Sequence, residues 1–426
     1  MKAPTLIDLF CGAGGISHGF EQAGFVVVGG SDFDEDSIAT FKNNHPEARV
    51  LCGDLSKVSP GELAEALGVK PGKVDCIAGG PPCQGFSRNR AFRHDRGRFV
   101  DDERNHLYWH FFEFVDYLRP KIVLMENVPE ILIKANGYFR DAVFERFERL
   151  GYNADAKVLN AAEFGVPQRR RRAIFLAGRD GQRVPFPEPT TLPGRRAGRR
   201  TPTSKDYISP SQHSNNLSLF GELPSGPTVW EAISDLHGGY AEELHGRGKY
   251  AAPASTGYQR ARRGKERAPW NHFPWRLSER QLQRIRLLRE GEGHLHLPDE
   301  LQPKEGYGSA YRRMQRDALA LTITTWMFHP GSGMFTHPIE DRVVTIREAA
   351  RLQSFNDSFK FVGRYHSQCR QVGNAVAPQV TVNVARSISK LLGKGRSDQD
   401  SGSTRTMPDR VKNAIVSSKS ARLQLI

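Results

Sequence analysis

The sequence predicts an α/β fold: a doubly wound, mostly parallel sheet carrying a smaller inserted domain. Three features predict it. Short apolar runs alternate with helical patterns up to about residue 183, as they do in β-α-β units whose crossovers cover both faces of a parallel sheet. The alternation fails around Val184, where Pro185, Pro187, Pro189 and Pro193 punctuate the chain. Helical patterning returns at 345–354 and 375–392. One domain made of 1–183 and 340–392, interrupted by an insertion at 184–339, accounts for all three. From Gly393 the composition turns to Ser, Lys, Arg and Asp, which predicts a disordered basic tail over 393–426.

In chain order, strands are expected at 5–9, 25–29, 49–51, 74–78, 121–125 and 173–177. Helices are expected at 15–23, 35–44, 61–67, 106–118 and 141–150. Open α/β sheets place ligands at strand ends. The first strand ends in Asp8-Leu9-Phe10-Cys11-Gly12-Ala13-Gly14-Gly15. Its glycines let backbone N–H groups approach a ligand, although a lone Gly-x-Gly is often only a tight turn. The second ends in Ser31-Asp32-Phe33-Asp34, where an acid can take a ribose diol and Phe33 offers a face to an adenine ring. The third ends in Gly53-Asp54-Leu55, where Asp54 could accept from an exocyclic amine. Each acid alone is more often a helix N-cap. Three at successive strand ends describe an adenosine pocket. The chain has no Gly-x-x-x-x-Gly-Lys-Ser/Thr loop, which argues against a nucleoside triphosphate.

The fourth strand opens through two glycines into Pro81-Pro82-Cys83-Gln84, and the run 121–125 ends in Glu126-Asn127-Val128. Taken alone, Cys83 would be a small buried residue, and Glu126 a helix cap. Together with the glycine loop they suit methyl transfer to a pyrimidine carbon. Carbon 5 of cytosine is a poor nucleophile. A thiolate adding to carbon 6 turns the ring into an enamine, whose carbon 5 can attack a methyl donor. Hydrogen bonding or protonation at N3, a task for Glu126, eases the addition. Further on, Gln168-Arg169-Arg170-Arg171-Arg172 leads into the strand at 173–177. Alternate residues of an extended segment share a face, so Arg170 and Arg172 could reach a base carbonyl and a phosphate together. Arg169 and Arg171 read as solvated charge.

Charge divides the chain. Residues 1–150 hold 18 Lys and Arg against 22 Asp and Glu, a net −4, and residues 151–426 hold 43 against 25, a net +18. The second part has the footprint of a polyanion binder, with clusters at 169–172, 195–200, 260–267 and 280–289. Five cysteines, at 11, 52, 76, 83 and 369, form no Cys-x-x-Cys pair and no zinc-spaced Cys/His cluster, so neither disulfides nor a metal are expected. No apolar stretch approaches the ~18 residues of a membrane span. The expectation is a soluble cytoplasmic protein with no membrane partner.

At these motifs the chain resembles the DNA (cytosine-5)-methyltransferase family. Beyond the Pro-Pro-Cys-Gln, Glu-Asn-Val and Gln-Arg-Arg-Arg-Arg segments it carries Arg342-Val343-Val344-Thr345-Ile346-Arg347-Glu348-Ala349-Ala350-Arg351-Leu352-Gln353 and Gln371-Val372-Gly373-Asn374-Ala375-Val376-Ala377-Pro378, in the family's order. The similarity covers about 1–183 and 340–392. It implies a Rossmann-like methyltransferase fold, S-adenosylmethionine as methyl donor, no metal, and a cytosine flipped out of double-stranded DNA. Cys83 carries over as nucleophile, Glu126 as the N3 partner, Arg172 as the group that holds the base, and Arg170 as a support of the site near the phosphate and Glu126. Phe10, Gly12 and Gly14 map onto the donor-binding turn, Asp32 to the ribose, Phe33 to the adenine face, and Asp54 with Leu55 to the adenine edge. Leu107 and Asn374 complete the donor pocket. The family often has tryptophan where this chain has Phe33, and commonly proline where it has Asn356.

The loop from Ser87 to Asp102 is expected to close over the flipped base, with Ser87 as a DNA contact. Residues 184–339 take the place of the target-recognition domain, with Thr322 and Thr324 as further DNA contacts. The expected protein is a prokaryotic, monomeric enzyme paired with a restriction endonuclease acting on the same site. Two alternatives stand beside it: a transfer-RNA cytosine methyltransferase, as one branch of the family is, and a catalytically silent DNA-binding relative. The large basic insertion weighs against the first, and the intact motifs weigh against the second.

Overall fold

The computed structural model describes residues 2–82, 107–194, 223–304 and 308–400, the last few of these by backbone only. It divides into two compact units, Met1–Ser389 and Lys390–Ile426. The first holds a sheet of seven strands in the order β3-β2-β1-β4-β5-β7-β6. They are β1 (Thr5–Leu9), β2 (Val26–Asp32), β3 (Arg49–Cys52), β4 (Cys76–Gly79), β5 (Ile122–Asn127), β6 (Tyr152–Asn160) and β7 (Arg171–Arg179). β1 through β5 pair in parallel, and β7 runs antiparallel to both β5 and β6. The sheet is therefore mostly parallel, as expected.

The crossover helices also fall where the apolar periodicity puts them: α1 (Gly15–Gln22), α2 (Glu35–Asn44), α3 (Pro60–Leu67), α4 (Leu107–Leu118) and α5 (Tyr138–Arg149). α3 starts at a capping box in which Ser59 and Glu62 exchange hydrogen bonds, with Pro60 at its first position. One face of the sheet buries Ile7, Leu9, Val123, Met125 and Phe175 against Phe111, Phe112 and Phe114 of α4 and Phe147 of α5. The strand order reverses between β2-β1 and β4-β5. The loops after β1 and β4 therefore leave the sheet side by side at its switch point, where such folds bind ligands.

Past β7 the chain builds a second core. It joins Val229 and Ile233 of α6 (Val229–Ile233) to Ile285 of α8 (Glu279–Arg286), to Ile323 and Phe335, and to Ile346 and Leu352 of α9 (Ile346–Leu352). α7 (Gly257–Arg263) and α10 (Tyr365–Asn374) lie in the same part of the chain. Arg351 of α9 ties the pieces together. It donates to the Ala232 carbonyl and to Asp235, and it pairs with Asp357, all inside the protein. The last helix, α11 (Pro378–Asp400), starts three residues later than its pattern suggested, because Asn374 still belongs to α10 and proline fits a first turn. It also runs past Gly393, where the sequence pointed to disorder; 401–426 lie outside the described residues. Among the described residues no helix is long and apolar enough to cross a membrane.

Candidate active site

The donor side is built from the ends of β1, β2 and β3. Phe10 and Gly12 take positive φ, +54° and +52°, and turn the chain away from β1. A Cβ built on Gly12 meets nothing within 4 Å, so the turn faces open space. Gly14 caps α1 at φ 95°, and a Cβ there would lie 2.8 Å from His45 Nε2. Glycine is thus required at 14 both by conformation and by packing. The Gly12 N–H donates to Asp32 Oδ2 at 2.8 Å, and the Asp34 N–H to Asp32 Oδ1 at 3.1 Å. Burial pushes the Asp32 carboxyl up from its ordinary value, and those two N–H groups oppose the shift. Beside it the Phe33 ring is 72% exposed.

The other acids divide. Asp34 is the N-cap of α2, accepting from the Ser37 N–H at 3.0 Å. Asp54 caps the short turn Leu55–Lys57 through one oxygen, and its other oxygen lies 3.8 Å from Lys57 Nζ. The Leu55 side chain is 2% exposed and belongs to the sheet core, which leaves only its backbone to meet a ligand. Leu107 opens α4, half-buried. Asn374 ends α10, exposed. The chain just after it closes on the donor loop: a Cβ on Gly15 would lie 2.5 Å from the Val376 carbonyl oxygen, and one on Gly19 1.9 Å from Thr381 Oγ1. An open glycine turn, an acid held by that turn and a bare aromatic face together fit S-adenosylmethionine. Phe33→Ala should weaken binding of S-adenosylhomocysteine about fivefold or more, since an aromatic face contributes on the order of 1 kcal/mol. Isothermal titration measures it, and an unchanged affinity would remove the ring from the donor site.

The cytosine side is built from β4, β5 and β7. Cys83 and Ser87 lie outside the described residues, as does the loop 87–102. The chain leading to them is well anchored. Asn127 Nδ2 donates to the Pro81 carbonyl at 3.2 Å, while Asn127 Oδ1 accepts from the Val128 N–H at 2.9 Å. The Glu-Asn-Val segment therefore grips the Pro-Pro segment directly. A Cβ on Gly80 would lie 2.9 Å from Glu126 Oε2, so a side chain there would push the carboxylate from its present place. Glu126 Oε1 meets Arg172 Nε at 2.7 Å, with the two side chains 12% and 18% exposed. Burial pushes the Glu126 carboxyl up, opposed by Arg172 and then Arg170. Glu126 is no helix cap: the turn Pro129–Leu132 follows Val128 and has no side-chain cap.

Arg170 lies close to Glu126, as expected, but not where a phosphate would meet it. It is 2% exposed, and its guanidinium donates to the carbonyls of Ile323 at 3.0 Å and Gly373 at 2.7 Å. Regular β7 starts only at Arg171, and the segment 168–170 instead lies along 320–323. Gln168 Oε1 accepts from the Ile323 N–H at 3.0 Å, the Arg169 N–H donates to Ala320, and the Thr322 hydroxyl donates to the Arg169 carbonyl at 2.8 Å. Arg170 is thus an internal brace behind the Glu126–Arg172 pair, its guanidinium given to protein carbonyls. Arg171 is exposed, as expected. Thr322 and Thr324 come to the same place: a Cβ on Gly373 would lie 2.5 Å from the Thr324 carbonyl carbon. The structure thus gathers Glu126, Arg172, Thr322, Thr324 and Asn374 around one region, joined through Arg170. Sequence reasoning missed Gln168 and Asn127 as the clamps of this assembly.

Where the inserted segment meets the returning chain lies one group of metal-capable side chains among the described residues. His237, His337 and Glu340 bring ligand atoms within 4.8 Å of one another. Arg342 donates to both Glu340 oxygens, at 3.0 and 3.1 Å, and His337 Nδ1 accepts from the Ile339 and Glu340 N–H groups. Internal donors already use these lone pairs, which is the arrangement of an ion-pair network.

Residues 5–390 match the family described as C-5 cytosine-specific DNA methylase. The chain belongs to this family. It is a DNA (cytosine-5)-methyltransferase. Type II methyltransferase M.AgeI of Thalassovita gelatinovora is 34% identical, with 91% of this chain and 99% of that protein covered. Type II methyltransferase M1.HphI of Haemophilus parahaemolyticus is 33% identical, covering 91% and 87%. Among solved structures, an E. coli prophage protein described as a DNA modification methyltransferase superposes with a TM-score of 0.68 at 24% identity, covering 92% of this chain and all of that one. S. pombe Dnmt2 methyltransferase shares the fold at a TM-score of 0.54 and 16% identity, covering 91% and 99%. The function expected from the motifs is therefore the function of the family, and DNA is its substrate.

Proposed function

We propose that this methyltransferase flips a cytosine out of a specific duplex site and methylates it through a covalent bond from Cys83 to carbon 6. The observation that carries this is the Glu126–Arg172 pair at 2.7 Å, beside Gly80 and the anchored Pro81. Gly80, which lies against the Glu126 carboxyl, precedes Cys83 by three residues in the sequence. The Cys83 thiolate adds to carbon 6 while Glu126, protonated or as a hydrogen-bond partner, meets N3, and carbon 5 gains enamine character. Arg172 orients Glu126 and offers its remaining N–H groups to the base carbonyl. Bound on the β1–β3 edge, S-adenosylmethionine supplies an electrophilic methyl group. Loss of the carbon 5 proton and departure of the thiolate then restore the ring. Residues 184–339 read the site, with Thr322 and Thr324 on its catalytic margin. Likeness to type II methyltransferases supports a cytoplasmic role in a restriction-modification system, with an endonuclease cutting the same sequence, and the protein would act there as a monomer. Bisulfite sequencing of DNA from cells expressing the chain tests the reading. Conversion-resistant cytosines confined to one short sequence are expected, and none above background would overturn it.

DNA binding should be salt-dependent, but less so than a net +18 after residue 150 implies. Arg170, Arg262, Arg284, Arg313, Arg342, Arg347 and Arg351 are all buried among internal partners. Only the exposed remainder, such as Arg276, Arg280 and Arg289, can displace counterions from phosphates. A plot of log K against log salt should fall with a slope of several units. A slope shallower than about −1 would put the basic surface elsewhere than on the DNA.

A further inference from the structure

Trp326 stands out among the aromatic residues of the second core. Of the five tryptophans, at 109, 230, 270, 275 and 326, it alone is exposed, at 62%. Its position is set by the cytosine site. Ile323 is held from both sides, its N–H by Gln168 and its carbonyl by Arg170, and Thr324 lies against Gly373. Trp326 follows two residues later. Its backbone is therefore tied to the same brace that supports Glu126 and Arg172.

The backbone that carries the side chain is well fixed. The Trp326 carbonyl accepts from the Ser332 hydroxyl at 2.7 Å and from the His329 N–H at 3.0 Å. Met327, the next residue, is fully buried and anchors the turn. The indole leans on Phe328 with centroids 5.4 Å apart, and Phe328 meets His366 of α10 edge-on at 4.2 Å. Behind them Trp275 stacks on Tyr365 at 4.4 Å. One end of an aromatic stack is thus packed into the core and the other is left bare. Its support also reaches α10, which ends at Asn374.

A bare indole on a fixed backbone, backed on one side by Phe328, offers a ready face to a flat partner. In a DNA methyltransferase, on the margin of the cytosine site, that partner is a nucleobase or deoxyribose. We propose that Trp326 is a DNA contact that stacks on the substrate duplex next to the flipped cytosine and helps to hold it open. Stacking of this kind tolerates any base, because every base offers a π face. Trp326 would then add affinity on the recognition side without choosing the sequence. The proposal rests on the methyltransferase activity of the family.

The test uses the full chain and a duplex carrying the site mapped by bisulfite sequencing. Acrylamide is the quencher, since a neutral probe is not repelled by phosphate. Free enzyme should show an accessible tryptophan that Trp326→Phe removes, and the duplex should protect it. Trp326→Ala should raise the Kd for the duplex about tenfold, equivalent to ~1.4 kcal/mol, with Trp326→Phe recovering most of the loss. S-adenosylhomocysteine affinity and the melting temperature should stay at parental values in both variants. If the duplex leaves the acrylamide quenching of the parent unchanged, or Trp326→Ala binds it as tightly as the parent, the proposal is wrong. Either result can be seen while the parent still methylates the duplex, which separates failure here from failure of the activity.

Discussion

Replacing Cys83 with serine is expected to abolish methyl transfer while duplex binding persists. Carbon 5 becomes nucleophilic only after something adds at carbon 6, and the adding group must be an anion of good intrinsic reactivity. A thiol with a pKa near ~8.5 supplies a useful fraction of thiolate, more so beside cations. A serine hydroxyl at the same place supplies essentially none. Loss of a covalent nucleophile typically costs on the order of 10⁴ or more in rate. Binding rests on other groups. Arg172 is oriented by Glu126 and the recognition segment by Gln168 and Arg170, none of which involves position 83. Tritiated methyl incorporation and gel-shift affinity should be measured on the same preparation. A serine variant turning over within about tenfold of the parent would remove Cys83 from the mechanism. A variant that lost binding as well would tie the cysteine to the DNA interface.

The parallel part of the sheet was legible because its signals are local. β1 to β5 are short aliphatic runs, and the helices between them repeat apolar residues at helical spacing. β6 was not, although Tyr152, Ala154, Ala156 and Val158 alternate with Asn153, Asp155 and Lys157. Two of its alternating positions are alanine, which gives little hydrophobic contrast, and its partner β7 runs antiparallel, outside the β-α-β rhythm. The helices of the second core carried a different signal. Thr228 with Glu231, Thr256 with Gln259, and Ser278 with Gln281 all form capping boxes, and that spacing can be read from sequence. In the last two it was masked by low apolar content in segments rich in arginine, while the first, Val229–Ile233, is too short to show a helical period.

Those arginines also mark where reasoning from composition overreached. Counting charge treats each arginine as a solvated cation. Arg313, in contrast, is 5% exposed and donates to the carbonyls of Leu288, Ile285, His337 and Glu340 and to Asp341. Five N–H donors in a planar fork make arginine suited to closing irregular backbone, where carbonyls have no strand or helix partner. The second core has few strands, so its loops need such donors. Arg170 is the same device at the catalytic centre. Alternation along an extended segment could not reveal it, since strand geometry fails just there.

Glu126→Gln is expected to lower kcat/KM by about 10²–10⁴, the usual contribution of a positioned acid or base, and to change the pH profile. The glutamine keeps the size and can still hydrogen bond to Arg172 or to the base, so donor and duplex affinity should change little. What it loses is the titrating proton. In the folded chain burial raises the Glu126 carboxyl above its ordinary value of 4.5, more strongly than Arg172 and Arg170 lower it. The proton needed at N3 is thus retained to higher pH than a solvated glutamate would allow. Parental kcat/KM should fall as pH rises through that raised value, and the residual activity of the variant should lack this limb. Stability should move in the same sense. Between 4.5 and the raised value the folded state binds more protons at this site than the unfolded state, so the group's contribution to stability falls as pH rises. The urea midpoint of the parent should therefore drop relative to that of Glu126→Gln from acidic to neutral pH. Two results would refute the assignment: a glutamine variant with parental turnover, or one keeping the same alkaline limb. In either case the proton would have to come from another group, and the Glu126–Arg172 pair would serve only to hold the loop that carries Cys83.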